Sequence, residues 1–170
     1  MGDELMVTIR SASVADIPLI RQLTQIIWPA TYKTILSSKQ ITYMLDMMYS
    51  VDSLRKQIDE LHHQFLISYD DAEPVGFASY SPIGESIYKL HKIYVLPNQH
   101  GKGIGKCIIS HIVDAIRPQG AIALDLNVNR HNPARSFYEK LGFSVIREED
   151  IDIGNGYLMN DFVMRKMLGK

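Results

Sequence analysis

IYKLHKIYVLPNQHGKGIGKCIISHIVDAIRP, residues Ile87 to Pro118, changes its period in the middle. Ile87 to Leu96 is rich in β-branched and aromatic residues and is closed by Pro97-Asn98, so it reads as a strand. From Ile104 onward Ile104, Ile108, Ile109, Ile112, Val113 and Ile116 recur at helical spacing. Pro118-Gln119-Gly120 stops that helix. Between strand and helix lies a glycine-rich turn, Gln99 to Lys106, and Ala121 to Val128 is again a strand. A strand, a turn, a helix and a second strand in that order put the chain in the α/β (or α+β) class.

Working outward, Gln64 to Tyr69 and Pro74 to Ser81 read as two strands joined at Asp70-Asp71-Ala72-Glu73. Before them the period is helical. Ser13 is a capping candidate for a helix carrying Ile17, Ile20, Leu23 and Ile27 on one face, and Pro29 is expected to end it. Ser38 to Tyr49 forms a second helix, with Ile41, Met44, Leu45 and Met48 on one side. Asp52 to Leu61 forms a third, capped by Asp52 or Ser53, and Leu5 to Ile9 a first strand. Downstream, Pro133 to Leu141 reads as a short helix and Phe143 to Arg147 as a strand. Gly154-Asn155-Gly156 turns the chain into a last strand, Tyr157 to Met167. No repeat or linker interrupts this order, so a single domain over residues 1–170 with a mixed sheet is expected.

Composition narrows the partners. Hydrophobic residues make up 46% and charged residues 22% of the 170, an ordinary globular balance. A formal net charge of -1 gives no global field for nucleic acid or an anionic membrane, and neither is expected as a partner. No apolar run reaches the roughly 20 residues of a spanning helix. The acidic start, Met1-Gly2-Asp3-Glu4-Leu5, does not look like a signal peptide. One cysteine, Cys107, suits a reducing, cytoplasmic setting.

The turn carries the chemistry. In Gln99-His100-Gly101-Lys102-Gly103-Ile104-Gly105-Lys106 the glycines let the backbone approach a ligand closely, and the helix start points unpaired N–H groups outward. The helix dipole adds positive potential, and Lys102 and Lys106 add charge, so the turn suits phosphate groups. A P-loop is excluded, because Gly105-Lys106 is followed by Cys107 and His100 stands at the first glycine position. The dinucleotide fingerprint fails too: its third glycine falls on Lys106 or Ile108. A purely structural turn is the plain alternative.

Tyr94 to Gly105 resembles motif A of the GCN5-related N-acetyltransferases, a strand end followed by [QR]-x-x-G-x-[GA] opening a helix. His100 stands in the first slot, where the family carries glutamine or arginine. Further on, Asn129 to Phe143 (NRHNPARSFYEKLGF) resembles motif B, N-x-x-A-x-x-F-Y-E-K-x-G-F. The family's asparagine stands seven residues before the tyrosine; His131 holds that place here, and Asn132 stands one residue later. Two motifs in order, with a strand between, are more specific than either alone. The resemblance implies a mostly antiparallel sheet of six or seven strands, splayed at the cofactor site. It also implies an enzyme that moves an acetyl group from acetyl-CoA (coenzyme A) to an amine acceptor without a covalent enzyme intermediate.

The same resemblance assigns residues. Ile93, Tyr94 and Val95 would hold the pantetheine and the thioester through backbone groups. His100, Gly101, Lys102, Gly103, Ile104, Gly105 and Lys106 would hold the pyrophosphate, with further cofactor contacts from Asn127, Asn132 and Arg135. Tyr138 matches the tyrosine that protonates the departing thiolate, and packing of its ring is the alternative. His91 lies on the strand beside the thioester and has a pKa range suited to base work, although a plain surface role fits as well. Glu85 is a second candidate base. Trp28 and Tyr32 are picked as acceptor-binding aromatics, against a default of core packing.

Other signals read as structural. Cys107 lacks an evident histidine–acid pair and is expected to pack as a small apolar residue. His62-His63 lack a third ligand at metal-like spacing, so no metal is expected. The rival from another class is a non-catalytic CoA-binding sensor of the same fold. Homodimerisation is common in the family and is left open by the sequence, as is the identity of the amine.

Overall fold

A computed structural model describes residues 7–169. The opening strand, β1, is Val7–Ala12; Leu5 and Met6 of the predicted strand lie outside the described residues. In chain order there follow α1 (Ile17–Tyr32), α2 (Ser38–Tyr49), α3 (Val51–Asp59), β2 (Gln64–Asp70) and β3 (Glu73–Pro82). Then come β4 (Ile87–Val95), α4 (Ile104–Ile116), β5 (Ala123–Asn129), α5 (Ala134–Lys140), β6 (Phe143–Gly154) and β7 (Tyr157–Met167).

Seven strands form one sheet in the order β1-β2-β3-β4-β5-β7-β6. The β4–β5 pair is parallel, from Ile87↔Ala123 to Leu90↔Leu126, which demands the long crossover that α4 supplies. The pairs β1–β2, β2–β3, β5–β7 and β6–β7 are antiparallel. The mixed, mostly antiparallel sheet with helices is the architecture the motifs implied. Two compact units can be distinguished: the described part of Met1–Ser81 with Lys92–Ile112, and Pro82–His91 with the described part of Val113–Lys170.

In the first unit, the α1 stripe of Ile17, Ile20, Leu23 and Ile27 is buried as its spacing predicts. Ser13 caps the short helical turn before α1, with Asp16 bonding back to the Ser13 N–H at 2.8 Å. Pro29 does not end α1; the helix runs through it to Tyr32. Proline removes one ladder bond, but the last turn is held from both sides. Thr31 Oγ1 bonds the Ile27 carbonyl at 2.8 Å, and the Tyr32 ring packs on Trp28 with centroids 4.6 Å apart. The third helix also starts earlier than predicted: its cap is Ser50, whose hydroxyl accepts from Ser53 N at 3.1 Å.

In the second unit, β6 continues to Gly154 rather than stopping at Arg147. Beyond Arg147, Glu149↔Asp161, Asp150↔Asn160 and Ile151↔Met159 pair with β7. Strand β6 is the sheet's edge, where charged side chains protect an open ladder. Asn155 (φ 55°) and Gly156 (φ 79°) turn the hairpin, the left-handed pair that Asn-Gly adopts most readily.

Candidate active site

Glycine shapes the start of α4. Gly101 and Gly103 have φ of 82° and 78°, a region that L side chains rarely adopt. A Cβ built on either meets nothing within 4 Å, so the outer side of the turn is open space. The first ladder bond runs from Cys107 N to Gly103 O at 3.0 Å. The N–H groups of Ile104, Gly105 and Lys106 therefore precede the ladder, as at any helix start. Ile104 is buried and anchors the turn, while Lys102 and Lys106 are exposed, Lys102 bonding Gln99 Oε1 at 3.1 Å. The His100 ring folds back, placing Nε2 3.0 Å from the Val95 carbonyl. Because a carbonyl only accepts, that nitrogen carries the proton. The departure from the family's first slot thus ties the turn to the end of β4.

That strand end, Ile93–Val95, presses on β3. A Cβ on Gly76 would lie 2.6 Å from the Tyr94 carbonyl oxygen and 2.9 Å from Ser68 Oγ. Tyr94 also joins an aromatic cluster. Its hydroxyl is 2.9 Å from that of Tyr32, and its ring lies 5.9 Å from Trp28 and 5.7 Å from Phe77. Trp28, at 1% exposure, is core; Tyr32 and Tyr94 are half-buried. Burial pushes the Tyr49 phenol well above its usual pKa, so it stays neutral. Tyr49 also lines a cavity of about 220 Å³ with Arg21, Thr24, Gln25 and Asp46. Beside it, Lys92 Nζ donates to Gln57 Oε1 at 2.7 Å and lies over the Tyr49 ring.

In the second unit, Tyr138 is buried on α5, its ring 5.3 Å from Phe137 and 5.8 Å from Phe143. Asn132 Oδ1 accepts from Ala134 N at 2.9 Å, so this oxygen starts α5 and the amide nitrogen is the group left for a ligand. Arg135 bonds Glu139 at 3.1 Å and lies over the Phe162 ring at 4.6 Å. Asn127 donates from Nδ2 to Asp161 Oδ2 at 3.2 Å. His91 is half-buried on β4, and Glu85 is exposed in the loop before that strand. Cys107 is exposed on α4 rather than packed, against expectation: it falls between the buried Ile104 and Ile108 rows of the helix. Among the described residues no group of three His, Cys, Asp or Glu could hold a metal ion.

Sequence reasoning passed over Gly76, Asp161 and Gln57. Each matters through a neighbour on another element, and nothing local announces that. A glycine inside a β pattern was the one available signal, since it marks close approach of another backbone.

The Acetyltransferase (GNAT) domain family model matches residues 33–165. Over 167 residues the chain is 28% identical to the spermidine N(1)-acetyltransferase of Thermoplasma acidophilum, covering 95% of this chain and 98% of that protein. The solved structure of the PaiA N-acetyltransferase from Thermoplasma acidophilum, in complex with coenzyme A, matches with a TM-score of 0.81. There the identity is 27%, over 96% of this chain and 99% of that one. A GCN5-related N-acetyltransferase of Rhodopseudomonas palustris shares the fold at 20% identity, with a TM-score of 0.80 over 98% and 99% of the two chains. With most of the chain matched, and the glycine turn lying inside that match, this protein belongs to the GNAT acetyltransferase family.

Proposed function

We propose that the protein is a single-domain enzyme that transfers an acetyl group from acetyl-CoA directly to a primary amine. The observation that carries this reading is the turn of Gly101 and Gly103, open on its outer side and running into the N-terminus of α4. Backbone N–H groups and the helix dipole suit it to a pyrophosphate. Lys102, Lys106 and Arg135 supply charge for the cofactor's phosphates, and Asn132 and the Ile93–Val95 backbone take its pantetheine arm.

Acetyl-CoA supplies an activated acetyl group. Tyr138 gives its phenolic proton to the sulfur as the carbon–sulfur bond breaks, since a phenol is neutral near pH 7 and can donate. His91, directly or through water, takes the proton that the amine nitrogen must lose. Tyr32, backed by Trp28, borders the acceptor. The nitrogen–carbon bond forms without an acyl-enzyme.

Calorimetric titration with acetyl-CoA, against ATP and NAD as controls, is the first test. Selective binding of acetyl-CoA is expected, and its absence overturns the reading. The relative named for spermidine makes polyamines the first acceptors to screen. Gly103→Val places a branched side chain on a residue with φ of 78° and fills the open side of the turn. Acetyl-CoA affinity is expected to fall at least a hundredfold, on the order of 3 kcal/mol. Normal affinity would remove the turn from the cofactor site.

The reading extends to a reducing, cytoplasmic setting, which the lone exposed Cys107 suits, with neither nucleic acid nor membrane as partner. It also includes a homodimer, for which exposed Ile146 and Leu158 on the last hairpin offer apolar surface. Sedimentation of the purified protein tests the dimer.

A further inference from the structure

Asp161 on β7 is 1% exposed, and its Oδ1 is buried without a hydrogen-bond partner. Such an oxygen is costly to bury, and a fold has no packing reason to keep it. Its Oδ2 accepts from Asn127 Nδ2. An ionised carboxylate can only accept, so Asn127 must turn its NH₂ group toward Asp161. The amide's other end, Oδ1, is thereby aimed away. Asn127 is half-buried, and among the described residues that oxygen has no partner. Asn127 is also the first residue of β5 beyond the last rung shared with β4, Leu90↔Leu126. It stands where the parallel ladder ends.

The surroundings are charged. On β4, Lys89 and, by strand alternation, His91 share the face of Asp125 and Asn127. Asp125 is held by Arg165 at 2.7 Å and 3.0 Å. On β6, Glu149 stands opposite Asp161 and is held by Arg147 at 2.7 Å. From the loop after β5, Arg130 bonds the Asp161 carbonyl at 3.3 Å and pairs with Asp150. Burial pushes the Asp161 carboxyl above its usual range; the Asn127 bond, Lys89 and Arg130 pull it down, and Glu149 pushes it up further.

We propose that Asp161 is a positioning residue that fixes the Asn127 amide with its carbonyl oxygen outward, as an acceptor for an N–H group of a bound substrate. The donor is an amide of the pantetheine arm or the nitrogen of the amine acceptor. This role rests on the acetyl-transfer reading and adds to it a residue outside the glycine turn and the Asn129–Phe143 motif. An aspartate does here what an asparagine of the same shape cannot, because an amide partner would let Asn127 bond in either orientation.

The test uses Asp161→Asn, Asn127→Ala and the double variant in the full chain. Asn127→Ala is expected to weaken binding about tenfold, read as the Kd for acetyl-CoA or the KM for the amine, whichever supplies the donor. Asp161→Asn should weaken the same constant by roughly threefold to tenfold. The double variant should match Asn127→Ala alone, since Asp161 acts only through Asn127. Thermal stability supplies a readout of opposite sign. A carboxyl whose folded pKa is raised stabilises when protonated and loses that contribution as pH rises through the folded pKa. Asp161→Asn should therefore melt at or above the wild-type temperature at pH 7, with the difference shrinking toward pH 4. A variant that melts several degrees lower with both constants unchanged is a structural residue, and the proposal falls. Additive effects in the double variant overturn it too. If wild-type protein binds no acetyl-CoA, the proposed function fails and takes this role with it; binding that is insensitive to Asp161 overturns only the role.

Discussion

Replacing Tyr138 by phenylalanine is expected to lower kcat about a hundredfold while the Kd for acetyl-CoA stays within about twofold of wild type. The ring and the hydroxyl of Tyr138 do different things. The ring is buried on α5 between Phe137 and Phe143, and phenylalanine keeps those contacts and that volume. The O–H is lost, and with it the proton proposed for the departing thiolate. That proton is needed when the carbon–sulfur bond breaks and not when the thioester binds, so the loss belongs in kcat. A kcat within threefold of wild type would leave Tyr138 as a packing residue and remove it from the chemistry. A weakened Kd at unchanged kcat would make it a binding residue instead.

How much of this was legible in the sequence depends on whether the physical cause is local. The α4 stripe, from Ile104 to Ile116, is written in one helix's own period, and all six predicted residues are buried. The Asn155-Gly156 turn is equally local, since two left-handed residues in a row have few solutions. Cause and signal part company where a neighbour decides. Pro29 reads as a stop, yet contacts from Thr31 and Tyr32 carry α1 past it. The predicted strand stops at Arg147, yet the backbone of the acidic residues beyond it is claimed by β7. The site divides along the same line. The glycine turn and Tyr138 stand in contiguous motifs. Asp161 lies far along the chain from the Asn127 that it holds, and no spacing rule links them.

Gly76→Ala should be strongly damaging for so small a substitution, because it acts on fold and site together. Gly76 is buried in extended backbone, so it is held by space and not by φ. Its missing Cβ would sit 2.6 Å from the Tyr94 carbonyl oxygen, 2.9 Å from Ser68 Oγ and 3.4 Å from Val95 Cα. Ser68 can rotate its hydroxyl away, but the carbonyl belongs to β4 and moves only with the strand. Overpacking against backbone is expected to cost about 3 kcal/mol, a fall in Tm of roughly 10 °C. The relief available is displacement of Tyr94–Val95, the stretch proposed to hold the pantetheine. Acetyl-CoA affinity should then drop more than tenfold even at temperatures where the variant is fully folded. Two companions isolate the cause. Gly84→Ala adds a Cβ that meets nothing within 4 Å and should be silent in both assays. Ser68→Ala combined with Gly76→Ala removes the flexible contact and leaves the carbonyl, so it should recover only a small part of either loss. Full recovery in that double variant would move the constraint from β4 to the Ser68 side chain. Native Tm and native affinity in Gly76→Ala alone would show that β4 can yield without consequence, and the link from β3 packing to cofactor binding would be gone.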